Sequence, residues 1–159
     1  MEREEYFLDT KHVKVMAENR KARHNFFIDD EYEAGIILKG TEVKSIRGGR
    51  VNIKDAYAKI KDGEIFLYQM HIGEYPFAHY DNHDTLRVRK LLLHQREIRK
   101  LYAKANEKGY ALIPLSVYFK NGKAKVLIGL ARGKKAFDKR ESIKQREAKR
   151  DLDRVKKNY

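Results

Sequence analysis

Two histidines four residues apart are the first candidates for chemistry in this sequence. His79-Tyr-Asp-Asn-His83 has the spacing at which two histidines on one helix can share a metal ion. Asp81 and Asn82 favour a loop over a helix, and the Glu that follows the first His in zinc proteases is missing. We interpret the segment as a solvated polar loop, and we predict neither a metal ion nor a cofactor.

Nucleophilic catalysis has no local signature either. Ser45 or Ser116 could be combined with a His and an Asp, but no Gly-x-Ser-x-Gly turn is present. Gly48-Gly49-Arg50 resembles a phosphate-binding turn without the Gly-Lys-Ser/Thr context, and we interpret it as the end of a strand at Glu42–Arg47. The absence of cysteine excludes thiolate metal sites, Cys nucleophiles and disulfides. The sequence predicts a protein that is not an enzyme.

Basic side chains mixed with aromatic ones are the more informative pattern. They occur at residues 19–24, at residues 87–90 and at Lys120, Lys123 and Lys125. Lysine and arginine displace counterions from phosphates, and aromatic rings stack on unpaired bases. Glu33 differs, because a carboxylate on a basic surface either forms a local ion pair or accepts hydrogen bonds from a base amino group. The residue pattern leaves these two roles of Glu33 equally open.

Composition supports a polyanionic partner. The 159 residues include 36 Lys and Arg against 23 Asp and Glu, a net charge of +13, and 42% are hydrophobic. Such an excess predicts binding to nucleic acid. The longest apolar runs are only a few residues, so no membrane segment is expected, and the acidic start of the chain does not resemble a secretory signal. We expect a cytoplasmic protein.

The charge is concentrated in a tail at residues 132–159. This tail has 12 basic and 5 acidic side chains, a net charge of +7, whereas residues 1–131 contribute +6. It has too few large apolar residues for a core, so we expect it to be disordered when free. It is nevertheless rich in helix formers and contains no proline, so a binding partner could order it as a helix.

Turn residues predict the fold of the central part. Asp62-Gly63 and Asn121-Gly122 each lie between segments rich in β-formers, which predicts hairpins at residues 54–70 and 110–131. Further strands are expected at residues 24–28 and 42–47, a long helix at residues 91–108 that ends at Gly109, and a short helix capped by Asp29, for which a strand at residues 32–38 is nearly as good. The predicted fold is mainly β with helices, an antiparallel six-stranded barrel of the oligonucleotide-binding (OB) type.

Five motifs resemble one known family at its order and spacing. They are Asn19-Arg-Lys-Ala-Arg-His, Tyr32-Glu-Ala-Gly-Ile, Gly40-Thr-Glu-Val-Lys-Ser-Ile-Arg47, Arg89-Lys-Leu-Leu-Leu93 and Gly133-Lys-Lys-x-x-Asp-Lys-Arg140. From about Val13 onward the chain is similar to the SsrA-binding protein (SmpB) family. The resemblance implies an OB-like barrel that binds the tRNA-like domain of transfer-messenger RNA (tmRNA) and brings it to stalled ribosomes for trans-translation, which tags incomplete chains for degradation.

The resemblance also implies the residues of two sites. Among RNA contacts it places Glu33, Leu92 and Lys125, with Asn19 at the start of the N-terminal motif; the full set predicted to bind RNA is Asn19, Arg20, Lys21, Arg23, Glu33, Arg89, Lys90, Leu92, Lys123 and Lys125. The tail is expected to become helical on the ribosome, in the messenger channel, and to contact small-subunit rRNA at the decoding site. The predicted tail residues are Gly133, Lys134, Lys135, Phe137, Asp138, Lys139 and Arg140, with Phe137 where relatives often have Tyr or His.

Three segments follow from this interpretation: an N-terminal extension at residues 1–18, acidic at its start, the barrel at residues 19–131 and the tail at residues 132–159. Alanyl-tRNA synthetase and elongation factor Tu are expected as indirect partners, and the chain is expected to be a monomer. Residues 1–10 and the loop at residues 73–85 depart from the family's pattern. A generic single-strand binder of the same barrel type and a ribonuclease are the alternatives that remain to be tested.

Overall fold

The computed structural model describes residues 12–79, 81–107, 109–134 and 136–157, and the side chains of all of these except 136–139 and 142. The first ten residues, which include four carboxylates, lie outside the described part. The described strands are β1 Val13–Glu18, β2 Phe26–Ile36, β3 Val51–Asn52, β4 Tyr57–Lys61, β5 Glu64–Tyr68, β6 His71–Ile72, β7 Arg89–Leu92, β8 Tyr110–Lys120 and β9 Lys123–Gly133. The described helices are α1 Ala22–Asn25, α2 Gly40–Arg47, α3 Gln95–Ala105 and α4 Ala136–Lys157.

Six antiparallel strands form a ring in the order β8-β4-β5-β7-β2-β9, which closes because β9 also pairs with β8. The ring confirms the predicted six-stranded OB-like barrel. β1 lies outside the ring and pairs with the second half of β8, from Val13 opposite Lys120 to Glu18 opposite Ser116. Residues 13–18, assigned to the extension by sequence, are therefore part of the sheet.

Both predicted hairpins are present. Lys61 pairs with Glu64 and Lys120 with Lys123, so each hairpin has a two-residue turn. The turn residues have positive φ, 51° and 74° at Asp62 and Gly63 and 51° and 76° at Asn121 and Gly122. Turns of this handedness match the twist of the paired strands.

The strand predicted at residues 42–47 is wrong, because Gly40–Arg47 is helix α2. The Glu42 side chain accepts a hydrogen bond from the Lys39 backbone N–H at 2.8 Å, which satisfies a donor at the helix start. Ser45 and Ile46 are buried by the same helix. Gly48-Gly49 therefore ends a helix and not a strand, with φ of 79° at Gly49.

Two further boundaries differ from the sequence-based ones. The prediction of a helix capped by Asp29 is wrong, and the strand alternative at residues 32–38 is right for residues 32–36, because β2 runs from Phe26 to Ile36 and pairs with β9 over nearly its whole length. The long helix begins at Gln95, since Leu91 and Leu92 belong to β7. Pairing with neighbouring strands outweighs local helix propensity in both segments.

The tail forms helix α4 in this structure. The helical conformation that we predict for the tail bound to a partner is therefore the one observed. Its Lys, Arg, Glu and Gln residues are good helix formers, and Arg154, Lys156 and Lys157 in the last turn complement the helix dipole. The expectation that the tail is disordered in the free chain stays a prediction. Within the part of the chain that is described, no helix is long and apolar enough to cross a membrane.

Candidate nucleic-acid interface

Strand register places several predicted RNA contacts on one outer face of the barrel. Tyr118 lies opposite Lys125, Lys125 opposite Gly35, and Gly35 opposite Leu92. Residues paired across antiparallel strands point to the same face, so these four positions form one row across β8, β9, β2 and β7. We call this the outer-face row, and it brings together Lys125 and Leu92 from separate sequence motifs.

Gly35 lets Leu92 lie across the row. A Cβ atom at position 35 would be 3.3 Å from the Leu92 Cβ, closer than side chains normally approach. Leu92 is 50% exposed, although its neighbour Leu91 is buried in the core. An exposed leucine beside lysines offers apolar surface on which a sugar or base can pack.

Glu33 lies in the row next to the outer-face row. It pairs with Leu127 and accepts hydrogen bonds from the Tyr118 hydroxyl at 2.5 Å and from the Lys120 ammonium at 3.3 Å. Burial, the hydrogen bond to Glu33 and the charge of that carboxylate raise the pKa of Tyr118, so its hydroxyl stays protonated and donates. The Glu33 side chain remains 29% exposed, which leaves room for a further donor.

Tyr118 is a neighbour that the predicted site did not include. The position of Tyr118 beside Lys125 could have been predicted from the sequence. The two-residue Asn-Gly turn pairs Lys120 with Lys123, and this register places Tyr118 opposite Lys125. Lys123 is exposed and continues the basic surface toward the turn. Lys90 lies on the same face but forms an ion pair with Glu64 at 2.8 Å, which offsets its charge.

The structure places Arg89 in the interior, against its prediction as an RNA contact. Its side chain is fully buried, and its Nε donates to Glu42 at 2.6 Å. The guanidinium also donates to the carbonyls of Met70, Asp84 and Thr85. Alternation along β7 explains the error, because Arg89 and Leu91 point inward while Lys90 and Leu92 point outward.

Glu42 is the partner that makes this burial possible. It is fully buried and receives Arg89 and also Arg87, whose guanidinium donates to Oε1. Burial alone raises the pKa of Glu42, but hydrogen bonds from Arg87, the Lys39 N–H and Arg89 outweigh it, and the pKa is lowered overall. Burial lowers the pKa of Arg89, and Glu42 opposes that shift. The ion pairs of Glu42 with Arg87 and Arg89 connect α2 with β7 and with the segment just before β7.

The N-terminal motif lies between β1 and β2. The Asn19 N–H donates to the Leu115 carbonyl at 2.8 Å, and its Nδ2 donates to the Pro114 carbonyl at 3.3 Å. These bonds fix the motif to β8 at an irregularity between Pro114 and Ser116. Arg20 and Lys21 are exposed, while Arg23 forms an ion pair with Glu31 at 2.6 Å.

A cleft of about 790 Å³ separates this motif from α4. The lining side chains include Arg20 and Arg23 on the barrel side and Arg146 and Lys149 on the helix side, with Glu18 as a carboxylate. Leu127, which pairs with Glu33, also lines the cleft. The N-terminal motif and the Glu33 row therefore border one basic surface.

Part of the predicted tail site is described. Gly133 ends β9, and the Lys134 ammonium donates to the Arg23 carbonyl at 3.1 Å and lies 4.9 Å from the Phe27 ring. Arg140 is exposed on α4. Lys135 lies outside the described residues, as do the side chains of Phe137, Asp138 and Lys139.

Two other candidates for chemistry, His83 and Ser45, are buried in the fold. The two ring nitrogens of His83 lie 3.0 Å from the Thr41 hydroxyl and 2.9 Å from the Ile72 carbonyl, and His83 is buried rather than solvated as predicted. Ser45 is buried in α2. Among the described residues, no group of three or more His, Asp or Glu side chains could hold a metal ion.

Three comparisons with known proteins all match this chain to SmpB or SsrA-binding proteins. A family model described as SmpB protein matches residues 16–158. SsrA-binding proteins of Bacillus velezensis and Bacillus subtilis are 57% and 56% identical over 142 residues, each covering 89% of this chain and 91% of the relative. A solved structure described as "tmRNA-SmpB: a journey to the center of the bacterial ribosome" is 53% identical with a TM-score of 0.65, covering 76% of this chain and 85% of that one.

Proposed function

The chain belongs to the SmpB protein family, and from that membership we infer that it is an RNA-binding adaptor of ribosome rescue. It binds the tRNA-like domain of tmRNA and delivers it to stalled ribosomes for trans-translation, so that the incomplete chain is tagged for degradation. The adaptor role requires a surface for a folded RNA and a second element for the ribosome.

The observation that best supports RNA binding is the outer-face row with Glu33 beside it. Lys125 and Lys123 supply charge for phosphates, and Leu92 supplies apolar surface. Glu33 supplies an acceptor for a base amino group, which a phosphate-binding lysine cannot replace. Asn19, Arg20 and Arg23 extend the proposed contact along the cleft. Lys21 is an exposed member of the same motif, and Lys90 borders the outer-face row.

Arg89 is left out of the proposed contacts. Its guanidinium is fully buried and bonded to Glu42 and to three backbone carbonyls. Its contribution is to hold β7 so that Lys90 and Leu92 face outward. Loss of Arg89 would therefore act through the fold.

The tail is the proposed ribosomal element. Its exposed basic residues suit rRNA phosphates at the decoding site and in the messenger channel. We expect alanine at Lys134, Lys135, Asp138, Lys139 and Arg140 to leave tmRNA binding intact and to abolish tagging on stalled ribosomes. Normal tagging by that variant would refute this division of labour.

Two further proteins are proposed as indirect partners of this adaptor. Elongation factor Tu and alanyl-tRNA synthetase act on the RNA component, so they meet this chain indirectly. The proposed working unit is one chain per RNA in the cytoplasm. An adaptor needs no catalytic group, and RNA that stays intact during long incubation with the protein is the expected result.

Titration of the full chain against the tRNA-like domain and a length-matched duplex at two salt concentrations tests the function. We expect preference for the tRNA-like domain. Lys125→Ala should weaken binding and reduce the slope of log affinity against log salt by roughly 0.7–0.9. Lys61→Ala, an exposed lysine at the turn of the first hairpin, is the matched control. Equal affinity for the tRNA-like domain and the duplex contradicts the proposal. A third titration uses an unpaired strand of the same length, and tighter binding to that strand than to the tRNA-like domain favours a generic single-strand binder.

A further inference from the structure

A second groove lies apart from the outer-face row, between β4, the first half of β8 and the end of α3. Its volume is about 390 Å³, and Tyr57, Lys59, Tyr102, Asn106 and Tyr110 are among its lining residues. The groove exists because β4 pairs with β8 only at Ala58 and Leu112, while the other half of β8 pairs with β1. The two strands therefore diverge on one side of that pair.

Three tyrosine side chains line this groove. Tyr57 stacks on Tyr68 with ring centroids 5.5 Å apart and planes 10° from parallel. Tyr102 is 53% exposed at the end of α3, and Tyr110 is anchored by a 3.0 Å hydrogen bond from its hydroxyl to Asp29. Exposed tyrosine rings in a concave site provide stacking surfaces for another planar group.

The charge around the groove favours an anionic strand. Lys59 is the one charged residue among the described side chains that line the groove, and its ammonium lies 5.5 Å from the Tyr57 ring. An adjoining groove that shares Tyr57 adds Lys21 and Lys54, with Asp55 as its carboxylate. A flexible lysine stem can move from the ring to a phosphate and so open the ring face to a base.

We propose that this groove binds an unpaired nucleobase of single-stranded RNA, with Tyr102 and Tyr57 stacking on the base and Lys59 contacting its phosphate. This site goes beyond the proposed function, because none of its lining residues belongs to the outer-face row. Bases inside a duplex are already stacked on their neighbours, so the groove selects unpaired nucleotides over a folded helix.

The test is photocrosslinking of the full chain to a uridine hexanucleotide that carries one 5-iodouridine, with peptide mapping by mass spectrometry and a parallel affinity titration. We expect crosslinks at Tyr57 or Tyr102. Tyr102→Leu should lower affinity for the hexanucleotide about tenfold, whereas Tyr102→Phe should keep it. Phe77→Leu is the matched control, because Phe77 is an aromatic residue 72% exposed that does not line the groove.

Crosslinks confined to the tail or to the outer-face row would overturn the proposal, as would equal affinities for Tyr102→Leu and Phe77→Leu. The result is distinguishable from a failure of the proposed function. Lys125→Ala should reduce binding to the tRNA-like domain and leave the hexanucleotide crosslink at Tyr57 or Tyr102 in place. Tyr102→Leu should have the reverse effect.

Discussion

Glu33 and Glu42 are two glutamates of one barrel with similar partners and different surroundings. Each accepts hydrogen bonds from more than one side chain, Tyr118 and Lys120 for Glu33 and two arginines for Glu42. The Glu33 side chain is 29% exposed and the Glu42 side chain 0%. Burial, more than the number of partners, therefore decides whether an ion pair is tied to the fold or stays available to a ligand.

The reason is the cost of a charge without water. A buried pair that loses one partner leaves the other charge uncompensated in the interior, whereas water replaces a lost partner at the surface. Glu42 is therefore tied to the position of α2 and β7. Glu33 is partly exposed to water, so exchange of Lys120 for another donor would cost little.

The largest effect is expected from Glu42→Gln. The amide leaves the Arg89 charge buried without its counterion, so the free energy of unfolding should fall by about 3–5 kcal/mol. Glu33→Gln should change it by less than about 1 kcal/mol. Urea unfolding followed by circular dichroism measures both variants. Equal losses would mean that exposure does not separate these two glutamates.

The second-largest effect is expected from Glu33→Gln on the affinity for RNA. If Glu33 accepts a hydrogen bond from a base, Glu33→Gln should weaken binding to the tRNA-like domain about tenfold. If Glu33 only pairs with Lys120, removal of a negative charge from a basic surface should tighten binding instead. The sign of the change in an equilibrium titration therefore decides between the two roles that the sequence left open.

The smallest effect is expected in acid. The pKa of Glu42 is lowered from its ordinary value of 4.5, so unfolding takes up a proton in acid. The contribution of Glu42 to stability should be complete above about pH 4.5 and be lost as the pH falls through the lowered value, by at most about 1.4 kcal/mol per pH unit. Unfolding free energies from pH 7 to pH 3 should decline less steeply for Glu42→Gln than for the unaltered chain.

Features set by neighbouring residues were predictable from sequence. The Asp-Gly and Asn-Gly turns fix both hairpins and their registers, and alternation along β8 and β9 then places Lys125 on the outer face. The motif resemblance added Glu33 and Leu92, which the structure brings near Lys125.

Features set by distant contacts were not predictable in the same way. The strand predicted at residues 42–47 has its apolar residues Val43 and Ile46 three positions apart, a spacing that also fits a helix, and in the structure Ile46 is buried by helix α2. The hydrogen bond from the Lys39 N–H to Glu42 closes the start of that helix. Arg89 belongs to a basic motif, yet its partner Glu42 lies 47 residues earlier in the chain. A buried ion pair between separate elements leaves no local pattern in the sequence.

The order of strands in the ring has a consequence for how the chain acquires its structure during synthesis. Among the described strands, β1 pairs only with β8, and β2 pairs mainly with β9. These first two strands therefore cannot complete their pairing before residues 110–133 have been made. Until those residues are made, β1 and most of β2 are unpaired edges, which are prone to join other chains. The barrel can therefore close only near the end of synthesis, and a chain that stops before β9 cannot complete its fold.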